Sequence, residues 1–118
     1  MAIKSPQEIE VWYVIPAIRR EMVLEFRKRK VSQKAAAGLL GLTEAAVSQY
    51  MKGKRGTDVS FSPVMKAEIR KSVDAIQEGA SVMEEIHKMT VLCKKNGVLC
   101  RLHRKMGNVP KECTICLG

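Results

Sequence analysis

The chain has 118 residues, a formal net charge of +9 and 46% apolar residues. That length suits one domain, or one small domain with an extension, and the apolar content excludes general disorder. Aromatics make up only 4%, so an aliphatic, Met-rich core is expected, and no apolar run approaches the ~20 residues that span a bilayer.

The first residues, Met1-Ala2-Ile3-Lys4, lack the apolar stretch and cleavage site of a secretory signal, so a cytoplasmic, reducing setting is expected. Ser5-Pro6-Gln7-Glu8 has the chemistry of a helix start: a capping hydroxyl, a proline for the first turn and a glutamate to reach back. The helix presents Ile9, Trp12, Tyr13 and Val14. Pro16 lacks an amide hydrogen and clashes with the turn before it, which predicts a kink or break near Ile15. A second helix follows over about 16–29. Its stripe is Ile18, Met22, Val23 and Phe26, spaced as one helical face requires.

Ser32 caps a short alanine-rich helix from Gln33 to about Leu40, stopped by Gly41. Thr43 caps the next, Glu44 to about Met51. Ser60-Phe61-Ser62-Pro63 begins a longer helix with the stripe Met65, Ile69, Val73 and Ile76. Gly79 interrupts it, and Ser81-Val82-Met83-Glu84 opens another that runs toward Cys93. His87 falls within that helix and is expected to pack there. No stretch alternates with period two, so the chain is expected to be all-α with a cysteine-bearing tail.

The charge is uneven. Residues 17–56 carry ten Lys/Arg against three acids, and residues 87–118 carry seven against one. Residues 57–86 between them are acidic on balance, with six acids against three bases. Two basic blocks would concentrate a polyanion, and nucleic acid is the commonest one inside cells.

The stretch 31–50 then reads as two short helices around a tight glycine turn. Ala36 is small where the second helix would cross the first, and Leu40, Leu42 and Val47 would seal the wedge between them. The outer face of the second helix, Glu44, Ala45, Ser48 and Gln49, is small and polar. Such a face can seat deeply in a major groove, where amide and hydroxyl groups bond base edges. Lys52, Lys54 and Arg55 follow it and suit phosphate contacts.

This block, with Trp12-Tyr13-Val14-Ile15-Pro16-Ala17-Ile18-Arg19-Arg20 before it and Lys52-Gly53-Lys54-Arg55-Gly56 after it, resembles small archaeal regulators of the lambda-repressor-like, or XRE, helix-turn-helix family. The resemblance covers about residues 5–60. It implies a helix-turn-helix bundle that binds double-stranded DNA. It also implies a phosphate contact for Gln33 and base reading by Thr43, Glu44, Ala45, Ser48 and Gln49. Glu44 departs from what a phosphate neighbour would favour, but its carboxylate can accept from a cytosine amine.

All four cysteines, Cys93, Cys100, Cys113 and Cys116, fall in the last 26 residues, spaced C-x6-C-x12-C-x2-C. Clustered thiols in a reducing compartment point to one four-thiolate site, for which iron–sulfur and zinc are the two candidates. Zinc ribbons use two C-x2-C knuckles, and only Cys113-Thr114-Ile115-Cys116 forms one. Iron–sulfur is placed ahead, because a labile cluster would give a regulator a sensing input. His103 could replace one thiolate.

Ile69, Ile76 and Met83 stand seven apart, with Val73 and Ala80 between. They form either a short heptad seam or ordinary packing positions. A homodimer joined through this segment would place two reading helices about one DNA turn (~34 Å) apart on a palindromic operator. The division expected is therefore a DNA-binding domain at 5–60, a helical linker or dimerisation segment at 61–92, and a metal or iron–sulfur tail at 93–118. A non-enzymatic transcriptional regulator is the leading expectation. Against it stand a zinc-containing RNA-binding protein, with few aromatics for base stacking, and a small electron carrier, with no cofactor fingerprint beyond the cysteines.

Overall fold

The computed structural model describes residue 8 and residues 10–57 and 59–95. Among these residues all regular structure is helical. A π-helical segment, Glu10–Val14, runs directly into α1, Ile15–Lys28. Then follow α2, Gln33–Leu40; α3, Glu44–Met51; α4, Pro63–Gln77; and α5, Val82–Lys95. No helix among the described residues is long and apolar enough to cross a membrane. Ser5, Pro6, Gln7 and Ile9 lie outside the described residues, as do Cys100, His103, Cys113 and Cys116.

Local chemistry explains the boundaries. Pro16 sits in the first turn of α1, where a missing N–H costs nothing. The disturbance expected near Ile15 takes the form of a widened turn just upstream rather than a break, one of the usual adjustments ahead of a proline. The caps expected at Ser32 and Thr43 form, and a third forms at Ser62. The Ser32 hydroxyl accepts the Ala35 N–H at 3.1 Å, Thr43 that of Ala46 at 3.1 Å, and Ser62 that of Met65 at 3.2 Å. Each satisfies one amide that the first turn leaves without a partner. Ser81 accepts from Glu84 more loosely, at 3.4 Å.

The exits are equally regular. In α1 to α4 the last turn closes with an N–H reaching back five residues, as from Val31 to Phe26 and from Leu42 to Ala37, both at 2.9 Å. Gly41 takes the left-handed conformation (φ 66°) that this closure demands. At the end of α1 the same conformation is taken by Lys30, at φ 62°.

The fold is organised around α1, which packs against the π segment and every other helix. Its inward stripe, Ala17, Ile18, Met22, Val23 and Phe26, is wholly buried. On it rest two pairs of successive helices in mutual contact: α2 with α3, and α4 with α5. The first pair contributes Ala36, Ala37, Leu40, Val47 and Tyr50 to the core. The second contributes Met65, Ile69, Val73, Ile76, Met89 and Cys93. All belong to one cluster, and Val59 and Phe61 from the connection between the pairs join it. The sequence boundary at 60/61 therefore falls inside one core rather than between two.

Of the two readings of the Ile69 spacing, ordinary packing agrees with the burial seen, and one expectation, for His87, needs correcting. Ile69, Val73 and Ile76 are buried within the chain, against α1 and α5, while Met83 stands 79% exposed on the far side of the break at Gly79. They do not make a continuous exposed seam. His87, expected to pack, is exposed. Its carbonyl accepts the Thr90 hydroxyl at 2.7 Å.

Arg29 ties α1 to α4. Its Nε donates to Glu25 at 2.9 Å, and its Nη1 donates to Asp74 at 2.6 Å and to Gln77 at 2.8 Å. The hydrogen bond to Glu25, then that to Asp74, raises the guanidinium pKa above its ordinary value.

Candidate nucleic-acid interface

The residues singled out around α3 are brought together by its two ends and its buried face. Val47 and Tyr50 point inward, at 0% and 2% exposure, and fix the roll of the helix on α1. The opposite side follows from helical spacing. Glu44 and Ser48, and Ala45 and Gln49, stand one turn apart on neighbouring lines of one face. Glu44 and Ala45 are exposed, and Ser48 and Gln49 are half-buried. The face is small: one methyl, one hydroxyl, one carboxylate and one amide.

Thr43 spends an acceptor lone pair on the Ala46 amide and keeps its O–H as a donor. Glu44 occupies the first turn of α3, where a carboxylate complements the positive end of the helix dipole. That gives the acid a folding role whatever it touches. Gln33 is exposed at the first position of α2.

Lys52, Lys54 and Arg55 are all exposed in the turn that leaves α3. None takes part in an ion pair among the described residues. The turn is pinned by Gly56, which is buried at φ 72°. A Cβ added there would fall on the carbonyl oxygen of Pro16 and stand 2.9 Å from the Cβ of Arg20. Only glycine lets the backbone come this close, so the basic turn is held against the start of α1. This contact is tertiary, and no local motif announces it.

Sequence reasoning also missed a second cationic feature. Arg20, Arg27 and Lys28 of α1 and Lys66 and Arg70 of α4 line a cleft of about 560 Å³. The two halves are some forty residues apart in the chain, so regional charge counts do not reveal it.

Of the four thiols, Cys93 is described. It lies in the last turns of α5 with no exposure, part of the apolar cluster, followed by Lys94 and Lys95. The soft donor set suits iron–sulfur or zinc. Among the described residues no three His, Cys, Asp or Glu side chains are grouped to hold a metal ion. No family model, no curated protein and no solved structure matches the chain.

Proposed function

We propose that the protein is a sequence-specific regulator of transcription. In this reading α2 and α3 form a helix-turn-helix of the lambda-repressor-like kind, and α3 enters the major groove of duplex DNA. One observation carries it. A short capped helix hides Val47 and Tyr50, shows a small polar face, and passes directly into three exposed cations without ion pairs among the described residues. Eight residues make a helix about 12 Å long, a match to the width of the groove.

The division of labour follows from the chemistry. Lys52, Lys54, Arg55 and Gln33 hold phosphates and set the register without reading sequence. The Gln49 amide can pair with an adenine edge. The hydroxyls of Ser48 and Thr43 bond nearby bases, Ala45 offers a methyl to thymine, and Glu44 accepts from a cytosine amine. A homodimer would present α3 twice at one-turn spacing. With the Ile69 stripe consumed inside the chain, exposed Val64, Met83 and Val91 are the apolar residues of α4 and α5 left for it. Cys93, Cys100, Cys113 and Cys116 would hold an iron–sulfur cluster, a group that supplies a redox- and iron-sensitive charge when bound. Structural zinc is the alternative.

The test is duplex selection from a random pool, followed by binding of the selected site to wild type and to S48A/Q49A. A good base contact is worth about 1–3 kcal/mol, so the double variant is expected to bind at least about tenfold more weakly. Its affinity for random duplex is expected to be unchanged. A pool that yields no preferred duplex would overturn the proposal. Absorbance of anaerobically purified protein decides the metal. A band near about 400 nm marks iron–sulfur, and a colourless protein with stoichiometric zinc replaces it.

A further inference from the structure

We propose that the cleft between α1 and α4 is a second phosphate-binding site, taking backbone phosphates of the same duplex beyond those held at the turn after α3. The source of the phosphate rests on the DNA-binding reading. The site itself rests on the cleft's own composition.

Three cations come from α1, namely Arg20, Arg27 and Lys28, and two from α4, Lys66 and Arg70. Two carboxylates share the walls, and they offset only part of this charge. Glu25 already accepts from the Nε of Arg29 at 2.9 Å, and Glu21 approaches Arg20 only to 3.9 Å. Arg27, Lys28, Lys66 and Arg70 enter no ion pair among the described residues. Two other cations of α4 and α5 behave differently: Lys71 pairs with Glu68 at 3.1 Å, and Lys88 with Glu85 at 3.0 Å. Gathering five like charges in one cleft opposes folding, and the two acids of its walls offset it only in part.

Arg20 adds a chemical observation. Its Nε is buried without a hydrogen-bond partner among the described residues, a state shared by the Nε of Arg19 outside the cleft. Its terminal nitrogens meet only Glu21 among those residues, at 3.9 Å, and can donate to an anionic oxygen. Arginine's planar fork suits phosphate in particular.

The shape of the charge favours a phosphodiester chain over a single carboxylate. Five cations against two acids, one of them engaged, leave an excess that one monoanion cannot offset, whereas duplex DNA presents a charge every ~1.7 Å along its axis. Arg20 also connects the two basic features. Its Cβ lies against Gly56, so the turn that carries Lys52, Lys54 and Arg55 abuts the first cation of the cleft. Contacts to backbone phosphate add affinity and salt dependence but carry no sequence information.

The test is K66Q/R70Q in the full chain. Both side chains are exposed and their loss relieves like-charge repulsion, so the melting temperature should equal or slightly exceed that of wild type. On the selected site within a duplex of about 30 base pairs, the variant is expected to bind about tenfold more weakly at ~0.1 M salt. Its log–log salt slope should be shallower by about two, one per lost phosphate contact. The ranking of base substitutions in the site should not change. Equal affinity and slope in the two proteins would overturn the proposal. If wild type binds no duplex at all, the regulator reading falls, and the cleft is judged separately with inorganic tripolyphosphate. Amide shifts along α1 and α4 in wild type that are absent from K66Q/R70Q would uphold a phosphate site fed by free phosphate. Absence of shifts in wild type would overturn it.

Discussion

The two helix pairs that flank α1 solve the same packing problem with different materials. In α4 and α5 long side chains go inward: Met65, Ile69, Val73, Ile76 and Met89 are all buried. In α2 and α3, each barely two turns long, two of the five buried residues are alanines, Ala36 and Ala37. The first pair is therefore held as much by its caps at Ser32 and Thr43, its glycine turn and its pinned exit as by buried area. That economy has a use. A pair fixed from its ends and one narrow face leaves the rest of α3 available to a partner. The charges do not follow this division: Lys71 and Lys88 pair along their own helices, but Lys66 and Arg70 of α4, like Lys52, Lys54 and Arg55, join no ion pair among the described residues.

The contrast is broken most directly at the pin. Gly56→Ala combines a left-handed backbone with a collision against Pro16 and Arg20, and is expected to lose about 4 kcal/mol in urea unfolding. Gly41→Ala has the same handedness, at φ 66°, but nothing within 4 Å of the new methyl, and should lose only about 1 kcal/mol. Similar losses at the two glycines would mean that the turn after α3 is not pressed onto α1.

The packing side is probed by Ile69→Ala, which empties a site only 1% exposed where α4 meets α1 and α5. A loss of about 3 kcal/mol is expected, against about 0.5 kcal/mol or less for Ser48→Ala on the outer face of α3. Thermal unfolding of the two variants checks this. If they melt alike, the distinction between a pair that packs and a pair that presents is lost.

These sites also show what the sequence makes legible. Ser32, Thr43 and Ser62 act on amides three residues away, so their caps and the helices they open can be read directly. The inward stripe of α1 is equally local, because Ile18, Met22 and Phe26 need only the helical period. What escapes is contact at long range. The spacing of Ile69, Ile76 and Met83 does not say whether the partner is another chain or α1 of the same one, and Gly79 puts Met83 on a separate helix. The meeting of Gly56 with Pro16 and Arg20, and of Lys66 and Arg70 with Arg27 and Lys28, requires the folded chain. On the candidate interface, the polar face of α3 and its basic exit are visible in one run of residues. The cleft beside them is not, because its cations are divided between two helices that only tertiary packing brings together.

A similarly small effect is expected at the joint between α1 and α4, where the two styles of construction meet. Arg29 bonds Glu25 on its own helix and Asp74 and Gln77 on the other. It is partly exposed, with 26% of its side chain accessible, so water and salt weaken the attraction, and pairs of this kind contribute about 0.5 kcal/mol. The raised pKa does not bring pH dependence near neutrality. A group whose folded pKa is raised adds stability that is lost only as pH climbs through that value, and for a guanidinium this lies far into base. Arg29→Met keeps most of the apolar stem and removes the charge. Its expected cost is about 0.5 kcal/mol at low salt, falling in about 1 M NaCl, where the Debye length shrinks to about 3 Å and the exposed charges are screened. Urea unfolding at the two salt concentrations separates the causes. A loss that persists undiminished at high salt would assign the joint to packing of the stem, and α4 would then be fastened to α1 by burial alone, as its Ile69 stripe already is.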